Sequence, residues 1–275
     1  MGAIYRALLI LALSFVGVLA YMVAFEDQYI YFPDSELQQT PAAFDLPFEA
    51  LAFRTPDGVM LHGWYMPHPD AHFTVLHFHG NAGNISHRLH LYRRWHELGL
   101  SVFAFDYRGY GKSGDTPSEA GLYEDGRAAW HELTVRLKTP PGSVILAGRS
   151  LGCAVAAKLS TEVKAAGLVL ETPFTSVPDM ADHHYPWLPL RFFMQSKFDL
   201  LKIIRENPVP LLIISAQNDE ILLAGMDERI YEAAGEPKVF DSLSGGHNDF
   251  DITSSQAYKQ AWQAWLSGLT GGKPD

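Results

Sequence analysis

The chain has 275 residues, 47% hydrophobic and 19% charged, a balance that excludes a disordered chain and fits one α/β unit with one core. A formal net charge of −10 without a clustered basic face argues against nucleic acid as a partner. The lone cysteine, Cys153, excludes an internal disulfide and says little about redox compartment.

Residues 7–25 carry no charge. At helical rise they extend about 28 Å, close to the hydrocarbon thickness of a bilayer. Only Ser14, Gly17 and Tyr21 relieve the apolar surface, so a core helix with a polar face is a poor reading. Arg6 and the amino terminus precede the run and Glu26 and Asp27 follow it. That asymmetry predicts a single-pass anchor, with the amino end cytoplasmic and the bulk of the protein on the far side. A cleavable signal peptide is the rival, since Val18-Leu19-Ala20 puts small residues at a processing position, and the product would then be secreted. Residues 1–27 are therefore assigned to an anchor or signal peptide. Residues 28–47, proline-containing and aromatic, read as a linker draped on the domain, and 48–275 as the globular domain.

Two β runs, 50–54 and 60–65, are joined by Thr55-Pro56-Asp57-Gly58, whose proline and Asp-Gly suit a hairpin. Buried strand and helix patterns then alternate: 74–79, 85–98, 101–106, 121–137, 143–147, 151–159 and 167–170. An irregular segment, 171–207, intervenes before 210–215, 226–234, 237–240 and a final helix over about 255–269. Such alternation predicts a parallel sheet covered on both faces, with ligands beyond the carboxyl ends of its strands.

Gly148-Arg149-Ser150-Leu151-Gly152 stands between the apolar run 144–147 and an alanine-rich helical run. A serine on so sharp a strand-to-helix turn takes a strained backbone, and the turn closes only if the residues two before and two after lack side chains. Ser150 is the expected nucleophile. The Leu151 amide, at the start of the following helix, is half of an expected oxyanion site.

Strand 74–79 runs into His79-Gly80-Asn81-Ala82-Gly83-Asn84, a tight loop before a helix that Asn84 suits as cap. The Asn81 amide is the second expected oxyanion donor. His77 and His79 share a strand face but lack further ligands in register, so they read as core or loop-orienting residues rather than zinc ligands. After strand 101–106 comes Asp106-Tyr107-Arg108-Gly109-Tyr110-Gly111-Lys112-Ser113-Gly114. A phosphate loop would need glycine where Asp106 stands, so the stretch reads as a charged buttress satisfying loop amides and carbonyls, and Ser113 lacks an elbow.

Asp219, in Asn218-Asp219-Glu220, lies just past strand 210–215, and His247, in Gly245-Gly246-His247-Asn248-Asp249, past strand 237–240. His247 is the expected general base and Asp219 the acid that orients it. Glu220 and Asp249 are the alternative acids; Glu220 should point elsewhere, and Asp249 is too near His247 in sequence. The order Ser150, Asp219, His247 is that of one hydrolase class.

These strings, together with Pro173-Phe174-Thr175-Ser176, resemble the α/β-hydrolase superfamily, and specifically its membrane-anchored serine hydrolases. The one departure is Cys153, where that group usually carries a third glycine. The resemblance implies an α/β-hydrolase fold, a mostly parallel eight-stranded sheet flanked by helices with a short cap over about 172–207, and hydrolysis of lipid esters or acyl thioesters. No metal or cofactor is required. The expected partners are a small-molecule or lipid acyl substrate and the membrane, with the oligomeric state open. In the cap, Tyr185-Pro186-Trp187-Leu188-Pro189-Leu190 and Phe192-Phe193-Met194 offer an apolar surface that reads equally as a lid over an acyl pocket or as a satellite core. His183 and His184 are adjacent and poorly placed to share a ligand. A peptidase using the same three side chains, and a non-catalytic membrane-tethered binding protein, are the competing functions.

Overall fold

A computed structural model describes residues 2–248 and 253–271. Helix α1 (Gly2–Ala24) is followed by a short turn of helix, α2 (Asp27–Ile30), and by β1 (Phe32–Pro33). The stretch after α1 is more than a draped linker, because Ile30 and Tyr31 enter the main core and β1 pairs in parallel with β5 (Ala82–Gly83). Of its aromatics, Tyr31 is buried, its ring meeting that of Phe198 edge-on at 6.3 Å between centroids.

Strands β2 (Glu49–Arg54) and β3 (Met60–Met66) form the expected antiparallel hairpin, closed by Gly58 at φ 92°. Strand β4 (Thr74–Phe78) leads through β5 to a capped turn at Ile85–Arg88 and helix α3 (Leu89–Glu97). Asn84 is the cap, its side-chain oxygen accepting the Ser86 N–H at 2.9 Å. Next come β6 (Ser101–Asp106), α4 (Glu119–His131), β7 (Val144–Arg149), α5 (Leu151–Ser160) and β8 (Gly167–Glu171). The helical run expected to reach residue 137 ends instead in a wider turn, Glu132–Arg136.

The segment read as irregular contains α6 (Val177–His184) and α7 (Leu200–Ile203). In α6, Pro178 sits in the first turn, where no backbone N–H is needed, and Ser176 caps the helix by accepting the Asp179 N–H. Strand β9 (Leu211–Ala216), helix α8 (Met226–Ala233), strand β10 (Lys238–Leu243) and helix α9 (Gln256–Leu269) complete the chain.

Eight strands lie in the order β10-β9-β8-β7-β4-β6-β3-β2, with β3 antiparallel to both of its neighbours, β2 and β6, and the other neighbouring pairs parallel. Strand alternation divides the core. Leu76, Phe78, Val144 and Leu146 face the layer of α4, α5, α7 and α8, whereas Val75, Ile145 and Ala147 face α3 and α9. A sheet buried on both faces explains the nearly unbroken apolar runs of β7 and β8.

Candidate active site

Strand β7 delivers Ser150 to a position between the sheet and α5, at φ 50° and ψ −117°. A non-glycine residue holds such a conformation only where its surroundings over-determine it. Those surroundings are the two glycines. A Cβ on Gly152 would overlap the Phe78 carbonyl, and one on Gly148 would overlap the Gly152 carbonyl. Helix α5 therefore packs backbone to backbone against the end of β4. The Ser150 N–H donates to the Glu171 carbonyl at 2.9 Å, tying the turn to β8.

Cys153 has a structural explanation. Its thiol is fully buried and donates towards the Gly148 and Glu171 carbonyls, at 3.2 and 3.3 Å. Burial pushes that thiol well above its ordinary value, so it is held as a neutral donor within the elbow.

The loops after β9 and β10 bring the two distant candidates to this serine. Asn218 N–H donates to the Gly245 carbonyl and Gln217 N–H to the Leu243 carbonyl, so the two loops are stitched together. The His247 Nδ1–H donates to Asp219 Oδ2 at 2.7 Å, which leaves Nε2 as the acceptor for the Ser150 hydroxyl at 3.1 Å. Asp219 Oδ1 accepts the N–H groups of Ile221 and Leu222, at 2.9 and 2.8 Å. Burial opposes ionisation of Asp219, but the His247 hydrogen bond and these two amides outweigh it and hold the carboxyl below its ordinary range.

His247 is also fixed through its backbone. Its N–H donates to Glu220 Oε2 at 3.0 Å and its carbonyl accepts from Arg149 Nη2 at 2.9 Å. Arg149 lies 3.6 Å from the Glu171 carboxylate, which Tyr258 of α9 also contacts through its hydroxyl. Glu220, weighed in the sequence only as an alternative acid, accepts the backbone N–H of His247. No sequence signal separates the two roles, because only the fold of the loop decides which of two adjacent carboxylates meets the ring. Asp249 lies outside the described residues.

The loop nominated for the second amide adjoins the serine, since a Cβ built on Gly80 would stand 3.6 Å from Ser150 Cβ. Asn81 is clamped there. Its carbonyl accepts from the Phe32 N–H at 2.9 Å and the Tyr110 hydroxyl at 2.8 Å, while its side-chain amide donates to the Ile30 carbonyl. Leu151 is the first residue of α5, where helix amides have no intrahelical acceptor.

His77 and His79 diverge despite their spacing: His77 Nδ1 meets the Tyr92 hydroxyl, and His79 Nδ1–H donates to the Gly80 carbonyl at 2.7 Å. Among the described residues no group of three or more metal-ligating side chains is assembled. The Arg108 guanidinium, expected to satisfy loop carbonyls, binds the buried Asp125 carboxylate at 2.8 Å and the exposed Asp57 carboxylate at 2.9 Å instead. Ser113 is a strut, donating to the Asp106 carbonyl and accepting the His62 N–H. A cavity of about 410 Å³ opens beside the elbow, bordered by Gly83, Arg88, Arg149 and Asn248.

Fold and elbow together define an α/β hydrolase, and the chain belongs to the α/β-hydrolase superfamily. The family model described as serine aminopeptidase, S33, matches residues 69–203. The Mycobacterium tuberculosis protein Rv2307c is 38% identical over 266 residues, covering 94% of this chain and 93% of its own. The Arabidopsis thaliana α/β-hydrolase domain-containing protein WAV2 is 32% identical, with 94% and 92% covered. The Schizosaccharomyces pombe protein bem46 is 32% identical, with 79% and 77% covered. Among solved structures, the Pyrococcus furiosus esterase Pf2001 superposes with a TM-score of 0.69 over 87% of this chain and 98% of that one, at 20% identity. At that identity the likeness speaks for the fold alone.

Proposed function

We propose that the chain is a serine hydrolase that cleaves carboxylic esters or thioesters of lipophilic acyl groups. The observation that carries this reading is the hydrogen-bonded line from the Ser150 hydroxyl through His247 to Asp219, set on a turn that holds Ser150 at φ 50° and ψ −117°. In the proposed reaction His247 Nε2 takes the Ser150 proton as Oγ attacks the acyl carbonyl, and the imidazolium then gives that proton to the leaving group. The Leu151 and Asn81 amides hold the developing oxyanion, and Asp219 keeps the imidazole in the tautomer that presents a free Nε2. Water, deprotonated by the same imidazole, attacks the acyl-enzyme and releases the acid.

The test is labelling by a fluorophosphonate together with turnover of esters graded by acyl length. Ser150→Ala should abolish labelling and cost several orders of magnitude in turnover. A folded native chain that neither labels nor hydrolyses any ester would sink the proposal. The S33 aminopeptidase description of the matching family supports a second reading, cleavage of peptide amides by the same side chains. Release of amino-terminal residues from peptides, without ester turnover, would favour that reading.

Helix α1, long and apolar enough to cross a bilayer and almost wholly exposed, supports a single-pass anchor with the catalytic domain on the extracytoplasmic side. Finding Met1 in the membrane-bound protein would decide against signal cleavage and secretion.

A further inference from the structure

The carboxyl end of α1 packs against the cap. Met22 of α1 is buried in a cluster with Ala181, Leu188 and Leu190, and Leu19 and Val23 pack against the same cluster. The turn Leu190–Phe192 touches α1 directly. Just past the helix, the buried Glu26 carboxylate accepts the N–H groups of Gln195 and Ser196, each at 2.9 Å. Apolar packing and the Glu26 hydrogen bonds thus join the end of the helix to the cap directly.

This joint has a depth. At helical rise Met22 and Leu19 lie about 3 Å and about 8 Å before Ala24, the last residue of α1. The cap thus overlaps the final turns of an apolar helix whose amino-terminal remainder projects free of the domain.

The surface beside that overlap is unusual in composition. Trp187 is 60% exposed, Phe192 77% and Phe193 54%. Among the described residues, every exposed Phe, Tyr or Trp outside α1 lies either in this cap or at Phe25, Tyr29 and Phe32, immediately after the helix. Elsewhere the exposed large apolar residues, such as Val135 and Leu223, are single aliphatic side chains. Scattered aliphatics are ordinary, whereas aromatics gathered at one level of an apolar helix match the interfacial belt of a membrane protein.

We infer that the cap is a membrane-docking surface: Trp187, Phe192 and Phe193 insert into the headgroup region of the leaflet from which the carboxyl end of α1 emerges. An overlap of about 8 Å equals the depth at which interfacial elements seat their apolar faces. The inference rests on α1 being a membrane anchor and adds what that reading leaves open, the orientation of the catalytic domain. With the cap fixed at the surface, the strand ends that carry Ser150 lie on the bilayer side of the domain. A lipophilic acyl substrate would then reach the serine without leaving the interface.

The experiment uses the full chain reconstituted in phosphatidylcholine vesicles, with an environment-sensitive fluorophore on Phe192→Cys and, separately, on Trp187→Cys. Lys164→Cys, in the exposed loop before β8 at the opposite end of the sheet, is the reference, and buried Cys153 takes no label. Both cap labels should be quenched by lipids bearing a nitroxide near the headgroup, and their iodide quenching constants should be several-fold smaller than that at position 164. Vesicle flotation separates the two readings. A chain that fails to float refutes the anchor and this placement with it. A chain that floats while iodide reaches the cap labels as readily as the reference refutes the placement alone.

Discussion

Glu220 accepts the backbone N–H of His247 at 3.0 Å while its neighbour Asp219 holds the imidazole of the same residue at 2.7 Å. Adjacent carboxylates thus divide the work, one locating the loop and the other the ring. Glu220→Ala should lower kcat about ten- to a hundredfold through misplacement of the ring, with KM little changed. Glu220→Gln, which keeps an oxygen acceptor, should recover most of that loss. Equal losses in the two variants would mean that charge, and not this hydrogen bond, is what matters.

Ser150 is strained because the reaction proposed for it needs an exposed hydroxyl, so removing its Cβ should relax the turn. Ser150→Gly is expected to abolish turnover and to raise stability by roughly 1 kcal/mol, read as a higher denaturant midpoint. Ser150→Ala keeps the strain and should not gain. A destabilised glycine variant would argue that the side chain is structural.

Arg108 should divide its two carboxylates by burial. Asp125 is fully buried and Asp57 half exposed. Arg108→Met removes the guanidinium from the buried Asp125 carboxyl, which keeps only the residue 108 backbone N–H at 2.8 Å, and should cost about 3–5 kcal/mol. Asp57→Asn, at a solvated pair, should cost less than about 1 kcal/mol. Urea unfolding of the two variants measures both, and comparable losses would contradict the division.

Acid stability follows from the buried histidines. Burial pushes His79 down to about 4 from an ordinary 6.5, more than Asp106 at 3.8 Å restores, and burial also pushes His77 well below that ordinary value. Each is therefore protonated in the unfolded chain before it is in the folded one. The His79 contribution is complete above about pH 6.5 and falls as pH drops towards 4, by up to about 1.4 kcal/mol per pH unit, and His77 acts in the same direction. Urea midpoints at neutral pH and at about pH 5 test the sign. His79→Asn should flatten the dependence, and an unchanged slope in that variant would exclude His79 as its source.

The elbow, the strand-helix alternation and the apolar amino-terminal run were legible in the amino-acid order, because each depends on neighbours within one turn or one strand. Gly148 and Gly152 bracket Ser150 for a steric reason that operates over five residues, and both faces of β7 are apolar because helices cover both. Asp219 and His247 were legible only through their place after strands and their order along the chain. Which oxygen meets which nitrogen was decided by tertiary structure, since the loops after β9 and β10 converge only when parallel strands bring their carboxyl ends together. The same distance in sequence hid the Glu26 clamp on Gln195 and Ser196, the pairing of β1 with β5, and the pairing of Arg108 with Asp57 and Asp125. Cys153, a departure from a glycine when read in sequence, proved to be a buried donor between two carbonyls from different strands. No local pattern specifies such a contact, because its acceptors become neighbours only once the sheet has formed.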